Sequence, residues 1–153
     1  MTLRHPARIE DVYGRARAVL TSTSTGEMWM QSTWLKFEQW LSEHWPARLK
    51  DLNPPATREE ITALETALGV QLPADYVACL QRHNGQAAAA RGLFDCAKFL
   101  STTEILSQWS IWEKSPDGAG DHHCLDLAPA DGGVSGQVID MWHDMSDRNV
   151  LEP

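Results

Sequence analysis

Cysteine is scarce: Cys79, Cys96 and Cys124 are scattered along 153 residues with no close pair. An odd, dispersed set builds no disulfide framework and points to a reducing, cytoplasmic setting. No apolar run approaches the ~20 residues that a membrane span requires. The amino terminus has no apolar region of the about 7–15 residues found in secretory signals. Bases are few as well, with 13 Lys and Arg against 21 Asp and Glu, a net charge of −8. Backbone phosphates need a basic footprint, so nucleic acid is an unfavourable partner. Also missing are a glycine-rich phosphate loop, a paired-carboxylate signature, a G-x-S-x-G elbow and zinc-type C-x₂-C or H-x₃-H spacing. The chain offers no catalytic argument and asks for no cofactor or metal.

What is present is the composition of one globular domain, 42% hydrophobic and 22% charged, with seven tryptophans that need burial. The negative charge is unevenly placed. Residues 1–27 carry four Arg against three acids, whereas residues 113–153 carry two bases (Lys114, Arg148) against nine acids. Such a tail either aids solubility or complements a basic partner.

The stretch 52–86, LNPPATREEITALETALGVQLPADYVACLQRHNGQ, has the strongest local signals. Pro54 and Pro55 hold the chain extended. Thr57 with Glu60 spells a capping box, and Ile61, Leu64, Ala67 and Leu68 recur at helical spacing. Gly69 suits a left-handed stop. Pro73 suits the first turn of a second helix, whose face holds Tyr76, Cys79, Leu80 and His83, with Asn84-Gly85 as its end. A helical hairpin results.

Upstream, Ile9, Val12, Tyr13, Ala16, Val19 and Leu20 have helical spacing interrupted by Gly14, and residues 21–26 read as a polar linker. Residues 1–27 are therefore expected to be a poorly ordered or loosely docked extension. Two readings stand for it: a start at Met28 or Met30, or a short docking helix. Residues 28–153 form the domain. Thr33 reads as the cap of a helix with a Trp34, Phe37, Leu41, Trp45 stripe that Pro46 ends. Downstream, Ala87–Ala90 read as a loop, and Leu93-Phe94 and Lys98–Leu100 as short strands. Ser101 with Glu104 is a second capping box, opening a helix with Ile105, Leu106, Trp109 and Trp112.

The last part alternates as strands do. Leu125 and Leu127 fall opposite Cys124 and Asp126, and Val138, Asp140, Trp142 and Asp144 share a face opposite Ile139. A turn at 129–133 with two residues able to take positive φ joins the strands, and Ser146-Asp147 turns into 149–151. Helices followed by mostly antiparallel strands make an α+β domain.

His122, His123, Cys124, Asp126 and His143 are the densest group of ligand-type residues. Strand alternation lets His122 and Cys124 share a face but excludes His123, which argues against a metal. A Cys124–His143 nucleophilic pair has neither third member nor oxyanion donor, so a half-buried structural cysteine is the better reading. For His83-Asn84-Gly85-Gln86, a helix end and core face outweigh a polar pocket.

The ordered set PPAT-x-EEI-x-x-LE-x-x-LGV-x-LP-x-DY-x-x-x-L-x-x-HNGQ resembles the opening of the SUKH superfamily. Trp34, Phe37, Trp40 and Leu41 precede it in the expected order. Phe99-Leu100-Ser101, Glu104-Ile105, Trp109, Gly120-Asp121, Cys124–Leu127, Pro129, Gly136–Ile139, His143-Asp144 and Arg148–Val150 follow it. The superfamily is named for a yeast cell-wall-assembly regulator and takes in bacterial immunity proteins. The resemblance implies N-terminal helices and a helical hairpin packed on a mostly antiparallel sheet. That sheet is expected to be reduced, because the family's W-x-P-x-W-I-P-F strand has no counterpart here and the chain stops at Pro153.

For function, the resemblance implies a non-enzymatic cytoplasmic immunity protein that occludes a toxin, and the acidic final quarter fits a basic, nuclease-like one by charge complementarity. A regulatory or scaffolding protein is the alternative. On the first reading the partner surface is Asp117, Asp121, Asp126, Asp140 and Asp144, with Trp142 as an aromatic anchor.

Overall fold

The computed structural model describes residues 23–94, 97–114, 121–141 and 149–150. Helix α1 runs Thr23–His44, α2 Pro46–Lys50, α3 Arg58–Leu68, α4 Ala74–Arg82 and α5 Thr102–Lys114. Strands β1 His122–Asp126, β2 Gln137–Met141 and β3 Asn149–Val150 follow, in an antiparallel sheet of order β1-β2-β3. The domain is thus α+β, as its periodicities require.

Helix α1 begins ten residues before Thr33, inside the stretch read as a linker. Its stripe starts a turn early: Met30 packs against the core and receives the Cys79 thiol at 3.3 Å. Thr33 is therefore an interior residue and not a cap. At the other end Pro46 expels Trp45 from helical geometry, to φ −149° and ψ 58°. Trp45 leaves the stripe, is 46% exposed, and lies under the Arg48 guanidinium at 5.2 Å. That cation–π contact replaces the core role its spacing suggested.

The hairpin forms as its local signals dictate. Thr57 Oγ1 accepts the Glu60 N–H at 3.1 Å while Glu60 accepts the Thr57 N–H at 2.7 Å, a complete capping box. Gly69 ends α3 at φ +69°. Pro73 sits one place earlier than read, as the residue before α4. Ser101 and Glu104 close the second box, with bonds of 3.0 Å and 3.3 Å.

Trp34, Ala56, Ile61, Leu64, Leu80 and Phe99 form the buried cluster, with Leu64 and Leu80 fully covered. Each such leucine contributes about 2–3 kcal/mol by leaving water. Phe37, Leu68 and Tyr76 pack against its rim. Aromatic rings extend the cluster, Trp34 to Phe99 at 5.9 Å and Phe37 to Phe94 at 6.0 Å. Trp109, placed on the core side by spacing, is 52% exposed. Residues 87–90 turn, as expected of a loop after Gly85, with Ala90 N–H on Ala87 C=O at 2.9 Å. The strand readings at 93–94 and 98–100 reduce to a single bridge between Phe94 and Ala97, too short to propagate a ladder.

Among the described residues the sheet meets the helical part at few points. Trp112 lies edge-on to His122 at 6.3 Å, and a Cβ on Gly136 would lie 3.3 Å from Pro73. Ile139 is its one residue under a tenth exposed among the described residues. In the β1–β2 loop the positive φ values fall at Gly132 (+89°) and Gly136 (+88°), not at Gly133. The turn read at 146–147 lies outside the described residues.

Candidate protein-binding surface

Two groups of polar residues compete for a functional role. The first is His83-Asn84-Gly85-Gln86, at the end of α4. Helix α4 stops at Arg82, and His83 is already extended. Its Nδ1 faces the Asn53 carbonyl and its Nε2 the Glu38 carboxylate, both at 2.9 Å. Glu38 on α1 also accepts the Arg82 Nε–H and an Nη2–H, each at 2.6 Å. The Arg82 bonds, with help from His83, hold the Glu38 carboxyl below its ordinary value of 4.5 despite burial.

Asn84 Oδ1 accepts the Thr102 N–H at 2.8 Å, capping α5 from eighteen residues away. Gly85 takes φ +69°, and a Cβ there would stand 2.3 Å from the Ser101 nitrogen. Only glycine lets the two backbones approach so closely. Gln86 is 1% exposed; its Oε1 accepts the Phe99 N–H at 2.9 Å and its Nε2 donates to Arg91 C=O at 3.0 Å. All four residues are committed to internal bonds or packing that tie α1, the 52–55 segment, α4, the 99–101 segment and α5 together. The motif is a structural staple and not a pocket.

The second group is the acids near the strands. Asp121 is exposed and directly precedes β1. Asp140 faces His123 across the β1–β2 register, with His123 Nδ1 3.4 Å from its Oδ1. Asp126 accepts the Ala128 N–H at 3.2 Å and the Gln137 amide at 3.3 Å, so it braces the loop. Facing pairs share a side of a sheet, and His123↔Asp140 and Cys124↔Ile139 place Asp140 opposite Asp126. Asp126 and Asp140 therefore lie on different faces. Asp117, Trp142 and Asp144 lie outside the described residues.

The register also places His122 with Cys124 on the Ile139 side and His123 on the other. Burial pushes the His122 ring below the ordinary histidine value, against the pull of Asp121. No three His, Cys, Asp or Glu side chains gather as a metal requires among the described residues. Cys79, on the helical side, has its thiol pushed up to about 11 by burial, far from nucleophilic character.

Sequence reasoning missed the Glu38–Arg82 fork, whose partners are 44 residues apart, and the Asn84 cap. The proline after Trp45 did signal its departure from the stripe. No helix among the described residues is long and apolar enough to cross a membrane.

Residues 55–153 match the model of the SMI1 / KNR4 family (SUKH-1). A "Glucan synthesis regulatory protein" of Neurospora crassa is 29% identical over 84 residues, covering 54% of this chain and 16% of that protein. A "KNR4/SMI1 homolog" of Yarrowia lipolytica is 29% identical over 85 residues, 54% of this chain and 12% of the relative. "KNR4/SMI1 homolog 2" of Debaryomyces hansenii is 30% identical over 88 residues, 56% of this chain and 15% of the relative. The matched region is thus a small part of each of these much longer proteins.

Proposed function

The chain belongs to the SMI1 / KNR4 family (SUKH-1), and on that premise we propose that it is a regulatory or scaffolding module that acts in the cytoplasm by binding another protein, without turnover. The observation that carries this reading is the likeness of about half the chain to a protein named for regulating glucan synthesis. The commitment of the hairpin's polar residues to internal bonds supports it, because chemistry-bearing side chains are spent on structure.

The test is deletion of the gene in its source organism, with wall-polymer synthesis and resistance to wall-degrading enzymes as readouts. Altered synthesis that the intact gene restores supports the regulatory reading. Unchanged wall synthesis contradicts it.

A second reading, immunity to a basic, nuclease-like toxin, is favoured by one observation. Nine acids face two bases in residues 113–153. Opposite charge speeds encounter and disfavours wrong partners. On this reading Asp121 and Asp140, with Asp117, Trp142 and Asp144, contact the toxin. Loss of survival beside toxin-producing siblings, with normal wall synthesis, would favour it over the regulatory reading.

A further inference from the structure

Among the described strands, β1 lies at an edge of the sheet, paired with β2 on one side. Gly136, at φ +88°, donates its N–H to the Asp126 carbonyl at 2.8 Å, so the Asp126 backbone faces β2. In an antiparallel pair, successive residues alternate between backbone groups that face the partner strand and groups that face away. Counting back from Asp126, the N–H and C=O groups of Leu125 and His123 point to the outer edge. No strand among the described residues pairs with that edge.

Natural edges are commonly blunted by lysine, proline, bulges or a covering element. Residues 121–127, Asp-His-His-Cys-Leu-Asp-Leu, contain neither lysine nor proline. The positive-φ distortion at Gly136 lies beside β2, not on β1. His123 and Leu125 share their sheet face with Val138, which is 40% exposed, and with Asp140. An added strand would find there an apolar strip ending at a carboxylate.

We propose that the outer edge of β1 receives an extended, basic segment of a partner protein as an additional antiparallel or parallel strand. The proposal rests on the protein-binding reading and specifies how the partner is held. Backbone bonds at His123 and Leu125 supply affinity, and side chains over Leu125 and Val138 supply selection. Charge chooses the occupant. Asp121 precedes the strand, Asp126 ends it, and Asp140 on β2 stands on the sheet face that His123 and Leu125 share, in a segment carrying nine acids against two bases. A second copy would bring the same acids to the same edge, where like charges repel.

The experiment uses the full chain and two synthetic peptides, one alternating Lys and Val, the other Glu and Val. Binding is followed by fluorescence anisotropy, and backbone exchange by NMR. The Lys-Val peptide is expected to bind, to bind more weakly as salt rises, and to slow exchange at the His123 and Leu125 amides roughly tenfold or more. Leu125→Pro should abolish binding while keeping the sheet, since an edge N–H that faces solvent can be given up. A Lys-Val peptide N-methylated at every residue, which leaves no N–H on either of its edges, provides a test that leaves the protein untouched, and it should not bind. Equal binding of the Glu-Val peptide, undiminished binding after N-methylation, or slow exchange at both amides in the free monomer would overturn the proposal. Self-association through this edge would overturn the choice of occupant. A native partner that binds without altering exchange at His123 and Leu125 would overturn the edge yet leave the protein-binding reading standing.

Discussion

Asn84 caps a helix that begins eighteen residues later: its Oδ1 accepts the Thr102 N–H at 2.8 Å and its Nδ2 reaches Thr102 Oγ1 at 3.3 Å. The same residue donates its own N–H to Pro54 C=O at 2.9 Å, so one asparagine joins three segments. Asn84→Ala leaves the buried α5 start without an acceptor and should cost about 1–2 kcal/mol. Urea denaturation checks the loss, and amide exchange should quicken first at Thr102.

The two left-handed glycines of the hairpin should respond very differently to alanine. Gly69 and Gly85 both have φ +69°, but only a Cβ on Gly85 would meet backbone atoms, the Ser101 nitrogen at 2.3 Å and the Leu100 carbonyl carbon at 2.4 Å. Gly69→Ala should cost about 1–2 kcal/mol, the price of left-handed geometry alone. Gly85→Ala adds a clash that no side-chain rotation relieves, and should cost more than about 4 kcal/mol or prevent folding. Paired thermal melts separate the two.

In the core, Leu64→Ala or Leu80→Ala should cost about 2–5 kcal/mol, since both side chains are fully covered. Leu68 is only partly buried and packs on the rim, so its truncation should cost less. A loss below about 1 kcal/mol at Leu64 would place it at the surface.

Features contained within a few residues of sequence were legible. The Thr57–Glu60 and Ser101–Glu104 boxes and the Gly69 stop each need only one helical turn to specify them. Alternation likewise marked β1 and β2 and put Val138 opposite Ile139. Long-range commitments were not legible: nothing near Glu38 announces Arg82 or His83. The start of α1 was misplaced because burial of Met30 outweighs the local polarity of residues 21–26. The acids were grouped by charge alone, whereas the strand register separates Asp126 from Asp140.

Acid should weaken the domain through Glu38 and Glu104. Arg82 and His83 lower the Glu38 carboxyl against burial. At Glu104 burial acts upward, but bonds from Lys98 and Ser101 outweigh it, so that value is lowered too. Both stabilise the fold above the unfolded value of 4.5 and lose that contribution as pH falls through their lowered folded values. Urea titrations between about pH 6 and pH 3 should show stability falling, with a shallower fall in Glu38→Gln.

The hairpin motif serves structure, whereas the outward acids of the sheet are proposed to meet a partner. Urea denaturation of Gln86→Ala beside Asp140→Lys tests that division most directly. Gln86→Ala removes the partners of the Phe99 N–H and the Arg91 carbonyl within a buried site, and should cost about 2–4 kcal/mol. Asp140→Lys gives up one long contact to a solvent-facing histidine and should change stability by no more than about 1 kcal/mol. Unchanged stability in Gln86→Ala, or a collapsed fold in Asp140→Lys, would contradict the account.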